Sequence, residues 1–85
     1  MRIGQRAAKA IRQRVNYGRV RPELDRLGIP QPIFCNWEVG KFDPSAYYFQ
    51  ILAEAGYDIY WIATGRIKYP APNVDFDIAE YEEEE

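Results

Sequence analysis

The chain contains no histidine and a single cysteine, Cys35, among its 85 residues. These two shortages exclude most zinc sites, the Ser-His-Asp triad and Cys-His catalytic pairs. The acidic residues are not distributed as paired catalytic carboxylates either, so we expect that the protein is not an enzyme and uses no metal or cofactor. One cysteine cannot form an internal disulfide, which is typical of a cytoplasmic protein.

Long hydrophobic runs are also missing. No apolar run approaches the roughly 20 residues of a transmembrane helix, and no charged-then-apolar leader precedes a cleavage site. Hydrophobic residues make up 47% of the chain and charged residues 28%, which is typical of a globular protein. A chain of this length is expected to form one domain with one modest core. Because it has no long apolar run, we expect no membrane contact.

The formal net charge of −2 hides a strong asymmetry along the chain. Residues 1–26 carry eight Lys and Arg residues and two acids, a balance of +6. Residues 27–68 have a balance of −1, and residues 69–85 carry seven acids and no basic residue. A basic half followed by an acidic tail indicates a charged partner at one end.

Apolar periodicity predicts two helices in the basic half. Ile3, Ala7, Ile11 and Val15 form one stripe and predict a helix over 3–16, with Gly18 as its left-handed stop. A second helix is predicted over 21–28. Pro22 suits its first turn, Leu24 and Leu27 share a side, and Gly28 ends it.

A third helix is predicted over residues 31–39, with Pro32 at its first position. Phe34 and Trp37 are three residues apart and are expected to face the core. The other side is left to Gln31, Ile33, Cys35 and Asn36. A helix of about two turns is not stable alone, so its neighbours must hold it.

Two more helices are predicted, over 44–55 with Asp43 as its cap and over 59–64 after Asp58. Beyond them the character changes, because Pro70 and Pro72 break any helix and VDFDI at 74–78 alternates in the manner of a β-strand. We therefore expect a domain over residues 1–66 and an extended acidic tail over 67–85.

Together these segments resemble the helix-turn-helix domain of phage repressors, the lambda-repressor-like or XRE-type group. The resemblance covers residues 3–65 and is carried by IGQRAAKAIRQR, ELDRLGIPQPIFCNWEVGK, DPSAYYFQILAEAGYD and IYWIATG. It implies an all-α, five-helix fold whose third helix, 31–39, lies in the major groove of double-stranded operator DNA.

The resemblance also implies roles for residues of the third helix. Gln31 and Asn36 match positions of polar base-reading residues, because amide side chains can bond adenine at two points. Pro32 and Cys35 lie on the same helix and are expected to meet bases as well. Glu38 matches a glutamate that pairs with an arginine of the first helix, for which Arg14 is the expected partner.

Phosphate contacts are expected on both sides of that helix, and the resemblance implies those after its end. Gly40 and Lys41 match a turn whose backbone amide and ammonium group hold a phosphate. Arg19 and Arg21 lie at the start of the second helix and are the other expected contacts. This region departs from the family pattern, since RVRPE replaces the usual glutamine, PELDRLG is one residue short and prolines replace the common Ser/Thr cap.

The function expected from this resemblance is that of a transcriptional regulator, a phage or prophage repressor acting in the bacterial cytoplasm without a small-molecule ligand. It is expected to be a homodimer, since one short helix reads only a few base pairs. Dimer contacts are assigned to the fifth helix, with Tyr60 and Trp61, or to residues 74–78.

One alternative stays open at this point. The fold could serve a protein-binding module, such as an antirepressor or an acidic decoy that mimics DNA, and the acidic tail could be either a solvated terminus or part of such mimicry. A regulator requires positive charge beside Gln31 and Asn36, whereas a decoy would bury that helix or surround it with acids.

Overall fold

A computed structural model describes residues 1–67 of the chain. Its five helices are α1 (Ile3–Arg14), α2 (Arg21–Leu27), α3 (Gln31–Glu38), α4 (Ala46–Glu54) and α5 (Ile59–Thr64). These residues contain no β-strand, so the expected all-α class is confirmed for this part of the chain. None of the helices in residues 1–67 has the length and apolar character needed to cross a membrane. The predicted strand over 74–78 lies outside the described residues.

Helix α1 occupies the centre of the fold and packs against both α3 and α5. The small side chains of Ala7 and Ala8 are buried there, so neighbouring helices can come close. At Gly4 the approach is tighter still. A Cβ atom on Gly4 would lie 2.4 Å from the carbonyl oxygen of Phe42 and 3.1 Å from the Cα of Trp37. Glycine is therefore required at this position to leave room for backbone.

The core draws on every helix. Its buried hydrophobic residues are Ala7, Ala8, Ile11, Leu24, Leu27, Ile29, Phe34, Trp37, Leu52, Tyr57 and Ile62. Phe34 and Trp37 are each 1% exposed, so the prediction that they face the core is confirmed. The ring of Trp37 meets that of Tyr48 edge to face at a centroid distance of 5.6 Å. This contact joins α3 to α4 and helps to hold the short α3.

The end of α1 differs from its prediction. The helix ends at Arg14, and the left-handed residues that follow are Asn16 (φ 56°) and Tyr17 (φ 59°). The amide of Tyr17 donates to the carbonyl oxygen of Arg12 at 2.7 Å, which closes the helix. The prediction of Gly18 as the left-handed stop was therefore wrong. Asparagine tolerates this conformation, whereas a tyrosine held there costs roughly 1–2 kcal/mol.

Asp43 also has a different role from the predicted one. Helix α4 begins at Ala46 with Ser45 as its N-cap residue, rather than at residue 44 with Asp43 as its cap. The Asp43 carboxylate instead accepts a hydrogen bond from the amide of Gly4 at 2.9 Å. That amide lies in the first turn of α1, where no intrahelical acceptor exists. Asp43 thus caps α1 from 39 residues away.

A polar network that the sequence did not predict surrounds Glu23 of α2, which is only 9% exposed. The hydroxyl of Tyr57 donates to its carboxylate at 2.8 Å, and Arg26 donates to both carboxylate oxygens at 3.0 and 2.6 Å. The guanidinium carbon of Arg14 lies 4.0 Å from the centroid of the Tyr57 ring. The network joins α2 to the end of α1 and to the turn between α4 and α5.

We predict that Tyr57→Phe lowers the free energy of unfolding by about 1–2 kcal/mol, because the buried carboxylate loses a donor while the ring stays in place. Tyr47→Phe is the matched control, since Tyr47 is 66% exposed. Urea unfolding of the two variants and the parent measures the difference. Equal stabilities for all three proteins would contradict the importance of this hydrogen bond.

We further predict that Glu23→Gln reduces the loss of stability in acid. The hydrogen bonds from Arg26 hold the pKa of Glu23 below its ordinary value of 4.5. A carboxyl group whose pKa is lower in the folded state stabilises the protein above the unfolded pKa, and this contribution disappears as the pH falls through the folded pKa. The variant should be less stable at neutral pH and should change less between about pH 5 and pH 3.

The measurement for this second prediction is the urea midpoint as a function of pH. Glu54→Gln serves as the control, because Glu54 is exposed and bonds only to Gln50, at 3.2 Å, among the described residues. An acid slope for Glu23→Gln that matches the parent would show that Glu23 does not carry the dependence.

Candidate nucleic-acid interface

Helix α3 presents one face to solvent. Successive residues turn by about 100° around a helix axis, so the direction opposite Phe34 and Trp37 is occupied mainly by Pro32 and Cys35. Gln31, Pro32 and Cys35 are exposed, and Asn36 is half-buried at one side. The structure therefore brings the four predicted base-reading residues to the outward side of one helix.

Local sequence explains how this short helix begins and ends. Pro30 is the N-cap residue and Pro32 the second helical residue, positions at which the missing amide hydrogen removes no helical bond. Gly40 ends the helix with a left-handed φ of 81°. A Cβ atom there would also approach the side-chain nitrogen of Gln5 to 3.1 Å. Both its conformation and its surroundings thus favour glycine at residue 40.

Basic side chains stand at the N-terminal end of α3. The Nη1 atom of Arg21 donates to the side-chain oxygen of Gln31 at 3.3 Å. Its Nε atom donates to Asp25 at 3.4 Å. The structure therefore places a predicted phosphate contact directly against a predicted base-reading residue. Arg19, which is also exposed, lies two residues before Arg21 in the chain.

At the other end of α3, backbone bonds change the expected role of the turn. The amide of Gly40 donates to Trp37 at 3.0 Å, and the amide of Lys41 donates to Asn36 at 2.8 Å. These bonds close the helix, which corrects the expectation that a backbone amide here is free for a phosphate. The exposed side chain of Lys41, with its ammonium nitrogen 5.5 Å from the Phe42 ring centroid, remains as the predicted contact.

The predicted ion pair between Arg14 and Glu38 was wrong. Glu38 pairs with Arg12, which donates to both carboxylate oxygens, through Nε and through Nη2, the latter at 2.9 Å. Arg14 donates instead to the carbonyl oxygen of Ala55 at 2.9 Å. Residues 12 and 14 lie about 200° apart around the axis of α1, so only one of them can face α3.

The Arg12–Glu38 pair has two further consequences. Hydrogen bonding from Arg12 lowers the pKa of Glu38. The guanidinium group also lies over the ring of Phe34, with its carbon 5.3 Å from the centroid. Arg12 of α1 therefore contacts α3 at two places, the buried ring of Phe34 and the carboxylate of Glu38 in the last turn.

Two features of this surface were not predicted. Val39 is 71% exposed and follows Cys35 by one helical turn, so it extends the outward face. A hollow of about 200 Å³ borders the same face, lined by Ile33, Asn36, Trp37, Phe42, Asp43, Ser45 and Tyr48. The four-residue spacing from Cys35 was a signal for Val39, but no local pattern marked the hollow.

The charges around α3 form a simple arrangement. Arg21 lies at its beginning and Lys41 just past its end, separated by eight helical residues, or about 12 Å along the axis. The nearby carboxylates of Asp25 and Glu38 are each paired with an arginine. Within residues 1–67, no group of three or more Cys, Asp or Glu side chains is placed to hold a metal ion.

Comparisons of the chain with protein-family models, curated proteins and solved structures give no match.

We predict that a double-mutant cycle over Arg12→Ala and Glu38→Ala gives a coupling energy of about 0.5–1 kcal/mol, as expected for a half-exposed bidentate pair. The matched cycle over Arg14→Ala and Glu38→Ala should give a coupling near zero, because those side chains do not meet. Urea unfolding of the single and double variants supplies both values. A larger coupling in the Arg14 cycle would contradict the observed pairing.

Proposed function

We propose that this protein is a sequence-specific DNA-binding transcriptional regulator of the lambda-repressor-like, XRE-type group, and that α3 reads the major groove. One observation carries the proposal. The outward side of α3 presents two amide side chains, Gln31 and Asn36, and cations stand at both ends of the helix, with Arg21 in contact with Gln31.

The side chains on this face suit the edges of base pairs. The major groove is about 12 Å wide and admits a single α-helix. Amide side chains can donate to and accept from adenine at once, which favours adenine opposite Gln31 and Asn36. Pro32, Cys35 and Val39 supply apolar surface between and beside them, and such surface suits the methyl group of thymine.

The basic side chains suit phosphates on the two sides of the groove. Phosphate contacts fix the register and orientation of a protein on the duplex without reading its sequence. Arg21 and Lys41 would hold the two ends of α3 in this way, together with Arg19. Because Arg21 also bonds Gln31, its second role is to limit the conformations of that amide before DNA arrives.

The charge distribution favours a regulator over an acidic decoy. A decoy would require unpaired carboxylates around α3, but Asp25 and Glu38 are each engaged by an arginine. Residues 1–67 carry ten Lys and Arg residues against six Asp and Glu residues, a net charge of +4. That balance supports attraction to DNA.

The proposed regulator acts as a homodimer and as a phage or prophage repressor. A single eight-residue helix reads few base pairs, and two symmetric copies double the contact. Tyr60 of α5 is 43% exposed and is available for such an interface within the described residues. Residues 74–78 are the other proposed dimer element.

We predict that Gln31→Ala and Asn36→Ala each weaken binding to a selected operator by roughly 1–3 kcal/mol, with little change in nonspecific binding. Gln50→Ala is the matched control, since Gln50 is an exposed amide on α4. Selection from random duplexes supplies the operator, and titration at fixed salt measures the affinities. If both variants bind as tightly as Gln50→Ala, the assignment of these amides to base reading is wrong.

Lys41→Ala is expected to behave differently. Losing a phosphate contact should weaken binding to all sequences alike and lower the salt dependence of log Kd by about one unit per contact. Titrations at several salt concentrations measure this slope. A change confined to the operator sequence would contradict a phosphate role for Lys41.

A further inference from the structure

Three side chains are joined by hydrogen bonds at the N-terminal end of α3. The Asp25 carboxylate accepts from the Nε atom of Arg21 at 3.4 Å, and the Nη1 atom of Arg21 donates to the side-chain oxygen of Gln31 at 3.3 Å. Asp25 and Arg21 both belong to α2, and Gln31 is the first residue of α3. We call these three residues the α2–α3 bridge. The bridge connects a carboxylate on α2 to an amide on the outward side of α3.

The charges of the bridge contribute little to the stability of α2. Arg21 is the first residue of the helix, where the helix dipole disfavours a cation. Asp25 follows four residues later, which is the less favourable order for an ion pair on a helix. The two side chains are 65% and 70% exposed, and ion pairs at such exposure add little to stability. The place of a carboxylate beside a proposed phosphate contact therefore needs another explanation.

Arg21 determines which way the amide of Gln31 faces. A guanidinium group has donors and no acceptor, so it can bond only the oxygen of an amide. The amide nitrogen of Gln31 therefore points away from Arg21. Asp25 in turn restricts Arg21, because a long side chain without a partner samples many conformations. Through Arg21, the carboxylate on α2 fixes the positions of the acceptor and the donor of the amide on α3.

A fixed amide distinguishes the two orientations of an A·T pair. In the major groove, adenine presents N7 as an acceptor and N6 as a donor, and reversing the base pair reverses their order across the groove. An amide that turns freely can match either order. An amide whose oxygen is held to one side matches only one of them. The bridge therefore suits Gln31 to bind A·T more tightly than T·A, or the reverse, at one operator position.

We propose that Asp25 is a positioning residue for base reading, and that it sets the preference of Gln31 for one orientation of an A·T pair. Asp25 acts through Arg21 and does not itself contact the bases. The effect on base preference rests on the proposed function, whereas the fixed amide is a property of the free protein. The two effects can therefore be measured separately.

The first experiment needs no DNA and follows the side-chain NH2 resonances of Gln31 in the 15N-labelled full-length chain. Asp25→Ala should shift these resonances, because Arg21 loses the acceptor that holds it. In an Arg21→Ala background the same substitution should shift them much less. Glu54→Ala is the matched control, since Glu54 is an exposed acid on α4 that bonds the amide of Gln50 at 3.2 Å. It should shift the resonances of Gln50 and leave those of Gln31 unchanged.

The second experiment measures base preference at the operator position where Gln31→Ala removes it. The Kd values for duplexes with A·T and with T·A at that position give a ratio. Asp25→Ala should bring this ratio closer to one by about two- to fivefold, the range that an exposed ion pair supplies. In a Gln31→Ala background it should leave the ratio unchanged, and Glu54→Ala should give the ratio of the parent. Binding of Asp25→Ala to unrelated duplexes should tighten at low salt, because a negative charge near the phosphates is gone.

Three results would overturn the proposal. The first is a set of Gln31 resonances that Asp25→Ala does not shift. The second is an unchanged ratio in Asp25→Ala while Gln31→Ala still removes the preference, and this result leaves the proposed function intact. The third is an equal change of the ratio with and without Gln31, because Asp25 would then act by another route. A parent protein that shows no base preference at any position would instead contradict the proposed function.

Discussion

The close approach of backbone to the first turn of α1 is the constraint on which the rest of the structure depends. Gly4 has no side chain, so the carbonyl of Phe42 and the Cα of Trp37 can lie against it. Asp43 follows immediately and caps the free amide of Gly4. One short stretch thus ends α3, caps α1 and sets the lead into α4. Any side chain at residue 4 would displace all three.

Around this contact, polar links hold α2 and α3 in a defined relation to α1. Arg12 clamps Glu38 at the end of α3, and the Glu23–Tyr57 bond joins α2 to the turn before α5. Such links matter because α3 has only eight residues and is not stable alone. A helix that reads base edges must already be positioned when it meets them. Stability and the proposed function therefore depend on the same residues.

The outward side of α3 has two borders with different chemistry. At its N-terminal end Arg21 meets Gln31, which suits phosphate and base contacts together. On the side of Asn36 the surface becomes aromatic, and its rim carries Lys41.

The number of helices, their order and the sides of α1, α2 and α3 that face the core followed from the sequence by itself. Apolar spacing reports the direction of a side chain around its own helix axis, and this is why Phe34 and Trp37 were placed correctly. Glycines mark helix ends for a similar local reason, as the left-handed Gly28 after α2 shows. None of this information describes how one helix is rotated against another.

Only the tertiary structure decided which polar groups pair with each other. Whether Glu38 meets Arg12 or Arg14 depends on the rotation of α1 against α3. The positions of the charged residues in the sequence do not determine this rotation. Asp43 is a good local cap, yet it serves a helix 39 residues away, because folding brings a free amide of α1 beside it. The turn at Gly40 is likewise closed by hydrogen bonds in which the amides of Gly40 and Lys41 donate to carbonyl oxygens of α3. Long-range polar bonds are made where packed helices leave donors and acceptors facing each other, and this geometry exists only after the chain has folded.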